Sequence, residues 1–256
     1  MSIIFNDVSF KYESYVTLQN ISTTIPENKT TVIIGKTGSG KSTFINLVDG
    51  LLLPDSGNIV VDDSEVTRKT KEKALANIRR KIGFVFQQPH KQLFANSVLE
   101  DVSFALKNFS MDLSLAKKTL DRIDFPNDLR ENSVFDLSLG QQRMVAVAGV
   151  MAYQPKYLIF DEPTSGLDQE NKEIVFKQIT TAPQTKIIVT HDLDTFLPIA
   201  DNILVFNQGQ IYKQGTYDQI YGQHDELISR PTFQRVADVL GLGVVHSVEE
   251  LGGRIK

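Results

Sequence analysis

The chain has 256 residues, 41% hydrophobic and 23% charged, and its 27 Lys+Arg against 31 Asp+Glu leave a net charge of −4. That balance excludes a disordered, collagen-like or coiled-coil chain, argues against a dedicated nucleic-acid binder, and leaves room for one large domain or two modest ones. With no cysteine, disulfides, thiolate metal sites and cysteine nucleophiles are ruled out, and a reducing compartment is the natural home.

No signal peptide is readable at the Met1 end, which is expected to be that of mature protein. The longest apolar stretches, Val145–Tyr153 and the Leu51–Leu53 neighbourhood, fall well short of the ~20 residues a bilayer span needs, so any membrane role is expected to be peripheral.

In chain order, Ile3–Tyr12 and Val16–Ile25 loosely alternate apolar and polar residues and predict two antiparallel strands. Thr30–Ile34 is a β-branched run that ends in Gly35–Gly40, and Ser42–Asp49 then carries apolar residues at Phe44, Ile45, Leu47 and Val48: strand, loop, helix. Gly57–Asp62 predicts another strand. Thr67–Lys81 is strongly basic and stays open between an exposed helix and a loop, read foremost as a solvated charged face. Ile82–Phe86 predicts a buried strand. From about Asn96 to Tyr153 good strand runs are missing, which predicts a helical insertion. Tyr157–Phe160, Lys186–Thr190 and Asn202–Phe206 predict three more strands, with helices at Gln169–Ile179 and Leu193–Ala200. Strands alternating with helices predict an α/β fold with a largely parallel sheet. Gly209 marks a hairpin turn before Ile211–Lys213, and Ser247 with Glu250 predicts a capping box for a last helix.

Two motifs carry chemistry by themselves. Gly35-Lys36-Thr37-Gly38-Ser39-Gly40-Lys41-Ser42 fits the phosphate-loop pattern, between strand and helix as its mechanism requires. Backbone N–H groups converge on phosphate oxygens, Lys41 reaches the β/γ-phosphates, and Ser42 ligates Mg²⁺, with Thr43 beside it. Tyr157–Phe160 is an apolar strand that ends in Asp161 and Glu162, where Asp161 would hold Mg²⁺ and Glu162 would orient or deprotonate an attacking water.

With these two motifs in order, the chain resembles the ATPase subunits of ATP-binding cassette (ABC) transporters over roughly Ile3 to Tyr217. Leu137-Ser138-Leu139-Gly140-Gln141 is similar to the signature L-S-G-G-Q, which in that family completes the ATP site of the opposing subunit. Ser165-Gly166-Leu167-Asp168 resembles the D-loop, Asp168 being equally a cap for the following helix. His191 stands as the switch histidine does and Gln87 as the Q-loop glutamine, with Gln88 its alternative. Tyr12 is placed like the aromatic that stacks on adenine. Phe10 is the lesser alternative, expected on the other strand face. The resemblance implies a P-loop ABC ATPase with a mostly parallel core sheet, an antiparallel β subdomain and a helical subdomain. Residues 1–217 would form the ATPase domain, with helical subdomain about 96–153, and 218–256 a C-terminal helical extension.

Phe86-Gln87-Gln88-Pro89-His90-Lys91-Gln92-Leu93-Phe94 is similar to the F-Q-N-P-x-x-Q-L-F segment of ATPases in energy-coupling factor (ECF) and cobalt/nickel importers. The helix Ala146–Ala152 and the tail Glu226–Pro231 resemble the same branch. His90 and Lys91 depart from it, and Leu139 stands where the family has glycine. The resemblance implies ATP and Mg²⁺ as cofactors. It implies as partners a second ATPase subunit of a different chain, a transmembrane coupling protein and a small membrane substrate-binding subunit, with no nucleic acid. Its place would be peripheral, on the cytoplasmic face of the cell membrane. Three alternatives stay open: another ABC importer or exporter ATPase, a soluble ABC ATPase acting on nucleic acid or ribosomes, and a small-molecule phosphate-loop kinase. Leu139 restricts the close approach and unusual backbone that glycine allows, which predicts two unequal ATP sites. Val236, Val239 and Leu240 recur at helical spacing in the tail and predict packing on the partner ATPase or on the chain's own core.

Overall fold

A computed structural model describes residues 2–255. In chain order the elements are β1 (Ser2–Tyr12), β2 (Tyr15–Pro26), β3 (Thr30–Gly35), α1 (Lys41–Val48), β4 (Ser56–Val61), β5 (Ser64–Val66) and α2 (Glu72–Arg79). Next come β6 (Ile82–Val85), α3 (Val98–Asn108), α4 (Ser114–Arg122), α5 (Leu139–Ala152), β7 (Tyr157–Asp161) and α6 (Gln169–Thr181). The chain ends with β8 (Thr185–Val189), α7 (Leu193–Phe196), β9 (Asn202–Asn207), β10 (Gln210–Gly215), α8 (Tyr217–Tyr221), α9 (Thr232–Leu240) and α10 (Val248–Ile255). They form two compact units, residues 81–184 and the remainder on either side of them.

The first unit, 2–80 with 185–255, holds two sheets. One is antiparallel in the order β2-β1-β4-β5. In the other, β3 lies parallel to both β8 and β9, and β10 closes antiparallel on β9. β3 is buried along nearly its whole length, as the β-branched run requires of a central strand. Helix α1 is fixed by Phe44, whose ring stacks on Phe5 at 4.4 Å and meets Phe206 at 5.2 Å. One buried aromatic thus anchors the helix that starts at the phosphate loop to a strand from each sheet. The basic stretch Thr67–Lys81, which follows β5, resolves into a loop and α2, where Leu75 and Ile78 are buried and the lysines stay outside. Ser247 accepts from the Glu250 N–H at 3.2 Å, but the Glu250 carboxylate bonds the His246 N–H, so the expected box is formed on one side only.

The second unit pairs β6 and β7 in parallel and surrounds them with helices. No strand lies between Val98 and Ala152 among the described residues. α5 is its spine: ten of fourteen residues are buried, because an Ala/Val/Met/Gly run lets α3 and α4 pack closely on it.

Candidate nucleotide site

In the first unit, β3 delivers the chain into the Gly-rich loop. Gly35 is required by crowding: a Cβ there would overlap the Phe206 carbonyl oxygen. Gly40 caps α1 at φ +105°, a backbone L side chains rarely adopt. The loop is braced by the Ser39 N–H to the Lys36 carbonyl at 3.1 Å, and by the Gly209 N–H to the Ser39 carbonyl at 3.0 Å. Lys41 is buried, and its Nζ donates to the Gly35 and Lys36 carbonyls at 2.7 and 3.0 Å. Ser42 is exposed at the helix start, and Thr43 is buried behind it. Ser39 Oγ is sealed from solvent with no partner. A helix N-terminus, an ammonium on the loop and an unpaired hydroxyl are what a phosphate chain satisfies, so these residues fit a nucleotide.

Lys36, Thr37, Gly38 and Ser39 line a cavity of about 690 Å³ with Tyr15, Thr17, Asn207 and Tyr212. Tyr12 does not line it. Its ring meets Phe10 edge-on at 4.8 Å, which corrects the expectation that the two occupy opposite faces: positions i and i+2 of a strand share a face. Tyr15, the strongly exposed first residue of β2, does line the cavity; sequence reasoning missed it, and an aromatic just past the Glu13–Ser14 break was the available signal.

His191 follows β8. The parallel pairing of β8 with β3 continues through the Thr190 N–H to the Ile33 carbonyl, so both strands end side by side. His191, Thr190, Gly35 and Lys36 consequently line one small cavity of about 90 Å³, shared with Leu227 and Ser229 of the tail. The tail is fastened there by the Thr232 N–H to Asp194 Oδ1.

In the second unit, β7 ends at Asp161, and Glu162 follows at φ +50°, a strained conformation for a non-glycine residue and one found disproportionately at functional sites. Gln87 and Gln88 are exposed just past β6. The Gln87 backbone is held by Arg143, 1% exposed, whose guanidinium donates to the Phe86 and Gln87 carbonyls at 2.6 Å each. Burial pulls the Arg143 pKa down, and the nearby Asp161 carboxylate pushes it back up. Arg143 thus links α5 to the Gln87 strip and to Asp161. Sequence reasoning missed it, because after Gln141 and Gln142 an arginine at the head of the apolar run reads as a surface residue.

Ser138 caps α5 in a complete capping box, accepting from the Gln141 N–H at 3.3 Å while Gln141 Oε1 accepts from the Ser138 N–H at 2.9 Å. Gly140 faces Asn171 so closely that any Cβ would overlap its amide. Asp168 caps α6, accepting from the Asn171 N–H at 2.9 Å and from its amide, and these bonds hold its carboxyl below the usual range. The strip at 138–141 and the one at 165–168 therefore meet through Asn171. Leu139 is half-exposed in ordinary helical backbone at the first position of α5.

The profile of the ABC transporter family matches residues 18–165. The energy-coupling factor transporter ATP-binding protein EcfA2 of Leuconostoc mesenteroides is 40% identical over 235 residues, covering 87% of this chain and 82% of that one. Its counterpart in Staphylococcus epidermidis is 37% identical over 241 residues, covering 89% and 84%. Among solved structures, cbiO1 from Clostridium perfringens, part of the ABC transporter complex cbiONQ, superposes with TM-score 0.78 at 30% identity, covering 94% of this chain and 96% of that one. A dimeric ATP-binding cassette in a post-hydrolysis state, bound to ADP and Pi, gives TM-score 0.75 at 27% identity, covering 84% and 98%.

Proposed function

The chain belongs to the ABC transporter family, and on that premise we propose that it is the ATP-hydrolysing subunit of an ECF-type importer for a vitamin or a transition-metal ion. The observation that carries the ATP-binding part is the phosphate loop itself, with Lys41 Nζ on its carbonyls and Ser39 Oγ buried and unpaired. Relatives named as ECF transporter ATP-binding proteins support the branch. No described helix is long and apolar enough to cross a membrane, so transmembrane partners must provide the path. Peripheral attachment at the cytoplasmic membrane face follows from that division of labour.

Lys41 and the loop N–H groups bind the phosphates, and Tyr12 or Tyr15 stacks on the base. Glu162 holds the attacking water and takes its proton, and His191 and Gln87 contact the γ-phosphate end. Ser42, Gln87 and Asp161 offer hydroxyl, amide and carboxylate oxygens, the hard donor set Mg²⁺ takes. Mg²⁺ held by these residues would supply charge neutralisation to the phosphates. Ser138, Gly140, Gln141 and Asp168 serve the ATP site of a second ATPase subunit, a different chain in this reading. Residues 1–217 do the chemistry, and 218–256 serve assembly.

The test is to isolate the membrane complex through a tag on this chain, identify its subunits by mass spectrometry and assay phosphate release. We expect a second ATPase, a transmembrane coupling protein and a small hydrophobic substrate-binding subunit, with Glu162→Gln binding ATP but hydrolysing it at least a hundredfold more slowly. Wild-type turnover by Glu162→Gln would remove Glu162 as the base, and a complex without the small subunit would move the chain to another ABC branch.

A further inference from the structure

The second unit contains a cavity of about 290 Å³ lined by none of the nucleotide strips. Met144 and Met151 of α5, Ile174 and Gln178 of α6, and Ile123 after α4 form its walls, with Arg122, Asp124 and Lys177 at the rim. It lies farther along the same two helices whose first turns meet at Gly140 and Asn171.

Gln178 is the anomaly. Its side chain is 6% exposed, and neither amide nitrogen nor amide oxygen has a hydrogen-bond partner. A glutamine at this position of α6 without partners is disfavoured, because a leucine would fill the same volume with no desolvated dipole. Met144, Met151, Ile123 and Ile174 give the cavity an apolar, deformable side, with Thr181 among the polar residues that also line it: two methionines with freely rotating thioether arms reshape around a guest more readily than branched side chains do. An orphaned amide needs a donor and an acceptor together, side by side. A carboxylate supplies acceptors only and would leave the glutamine oxygen unpaired, whereas another amide satisfies both atoms at once.

We propose that this cavity binds a small neutral carboxamide, an apolar body carrying one amide head, with the head on Gln178 and the body between Met144, Met151 and Ile174. Such a ligand would sit between the helices capped by Ser138 and Asp168.

Met144 and Met151 line the cavity and Met111 does not. The full chain labelled with methyl-¹³C methionine is titrated with benzamide and, separately, with benzoate, without nucleotide, so the outcome is independent of the ATPase assignment. Benzamide is expected to shift the Met144 and Met151 methyl resonances saturably while Met111 stays in place. Gln178→Leu is expected to weaken that response at least tenfold. Ile174→Phe, which fills the cavity from a half-exposed position, is expected to abolish it and covers the case of a poorly folded Gln178→Leu. No saturable shift, a response unchanged in both variants, or benzoate matching benzamide through Arg122 and Lys177 would each overturn the assignment.

Discussion

Asp49 ends the helix that starts at the phosphate loop, and its carboxyl stands where a negative charge is least welcome. It is the C-cap of α1, it is 7% exposed, and the helix dipole points its negative end there. Burial raises its pKa from the ordinary 3.8 to about 7, against the opposing pull of the Arg79 guanidinium. That guanidinium is engaged elsewhere, donating to the Gly50 carbonyl at 2.9 Å and to Glu72. The folded chain therefore holds a proton on Asp49 that the unfolded chain releases. Stability is highest below the unfolded value near 4, falls as pH rises, and levels off once pH exceeds the folded value near 7. Linkage gives a penalty of about 2 kcal/mol at pH 5 and roughly 4 kcal/mol at pH 8.

Asp49→Asn keeps the shape and removes the ionisation. At pH 8 it should stabilise the chain by up to about 4 kcal/mol, about 8 °C in Tm for a chain of this size, and at pH 5 by about half of that. Scanning calorimetry of both proteins at the two pH values reads the difference directly. Equal gains at pH 5 and pH 8 would show that Asp49 does not titrate in this range. A loss at pH 8 would show that the charge is held by Arg79 and contributes to the fold.

Two further outcomes follow from the same structure. Arg143→Met strips the Phe86 and Gln87 carbonyls of their charged donor, so urea unfolding should show a loss of roughly 2–4 kcal/mol, with Arg143→Lys intermediate; equal losses for both would remove the bidentate tie. Val239, 87% exposed on α9, makes no core contact, so Val239→Asp should change the chain's own stability by under about 0.5 kcal/mol while weakening assembly with the second ATPase on size-exclusion chromatography; unchanged assembly would return the tail to a role within the chain.

Long elements were legible in the sequence wherever one physical rule dominated. The β-branched run Thr30–Ile34, the apolar stretch Tyr157–Phe160 and the phosphate loop between strand and helix each combine pattern and local chemistry, and each stands where it was expected. α2 was less legible because only Leu75 and Ile78 mark its buried face among lysines and arginines. The tail's spacing pointed to a helix, but its three conspicuous apolar residues, Val236, Val239 and Leu240, face solvent, while Phe233, Gln234 and Ala237 are buried. Periodicity identifies a helix without saying which of two stripes is inside. Arg143 was illegible for the opposite reason. A buried arginine departs from the usual distribution of charges, and only backbone carbonyls 57 and 56 residues away explain it.

Leu139 shows how structure alters an argument without removing its conclusion. Two reasons predict damage where a glycine stands in the family pattern: unusual backbone and close approach. The backbone reason falls, because Leu139 opens α5 in ordinary helical conformation and the Ser138–Gln141 capping box is complete around it. The approach reason stays. The side chain is 44% exposed, and its Cδ2 lies 3.3 Å from where a Cβ on Gly166 would be, so leucine lies over the 165–168 strip, and in the function proposed above it would stand between that face and the partner's phosphate. The site on the partner's phosphate loop should therefore be the weaker one, and the site using Lys41 and Glu162 of this chain the stronger. In the assembled complex, Leu139→Gly should raise turnover when this chain's own site is silenced by Glu162→Gln, at a cost of up to about 1 kcal/mol in stability from the added glycine. Phosphate release measured on that double variant decides it. Turnover no higher than in Glu162→Gln alone, or equal losses from silencing either site, would show that leucine is tolerated there and that the two sites are equivalent.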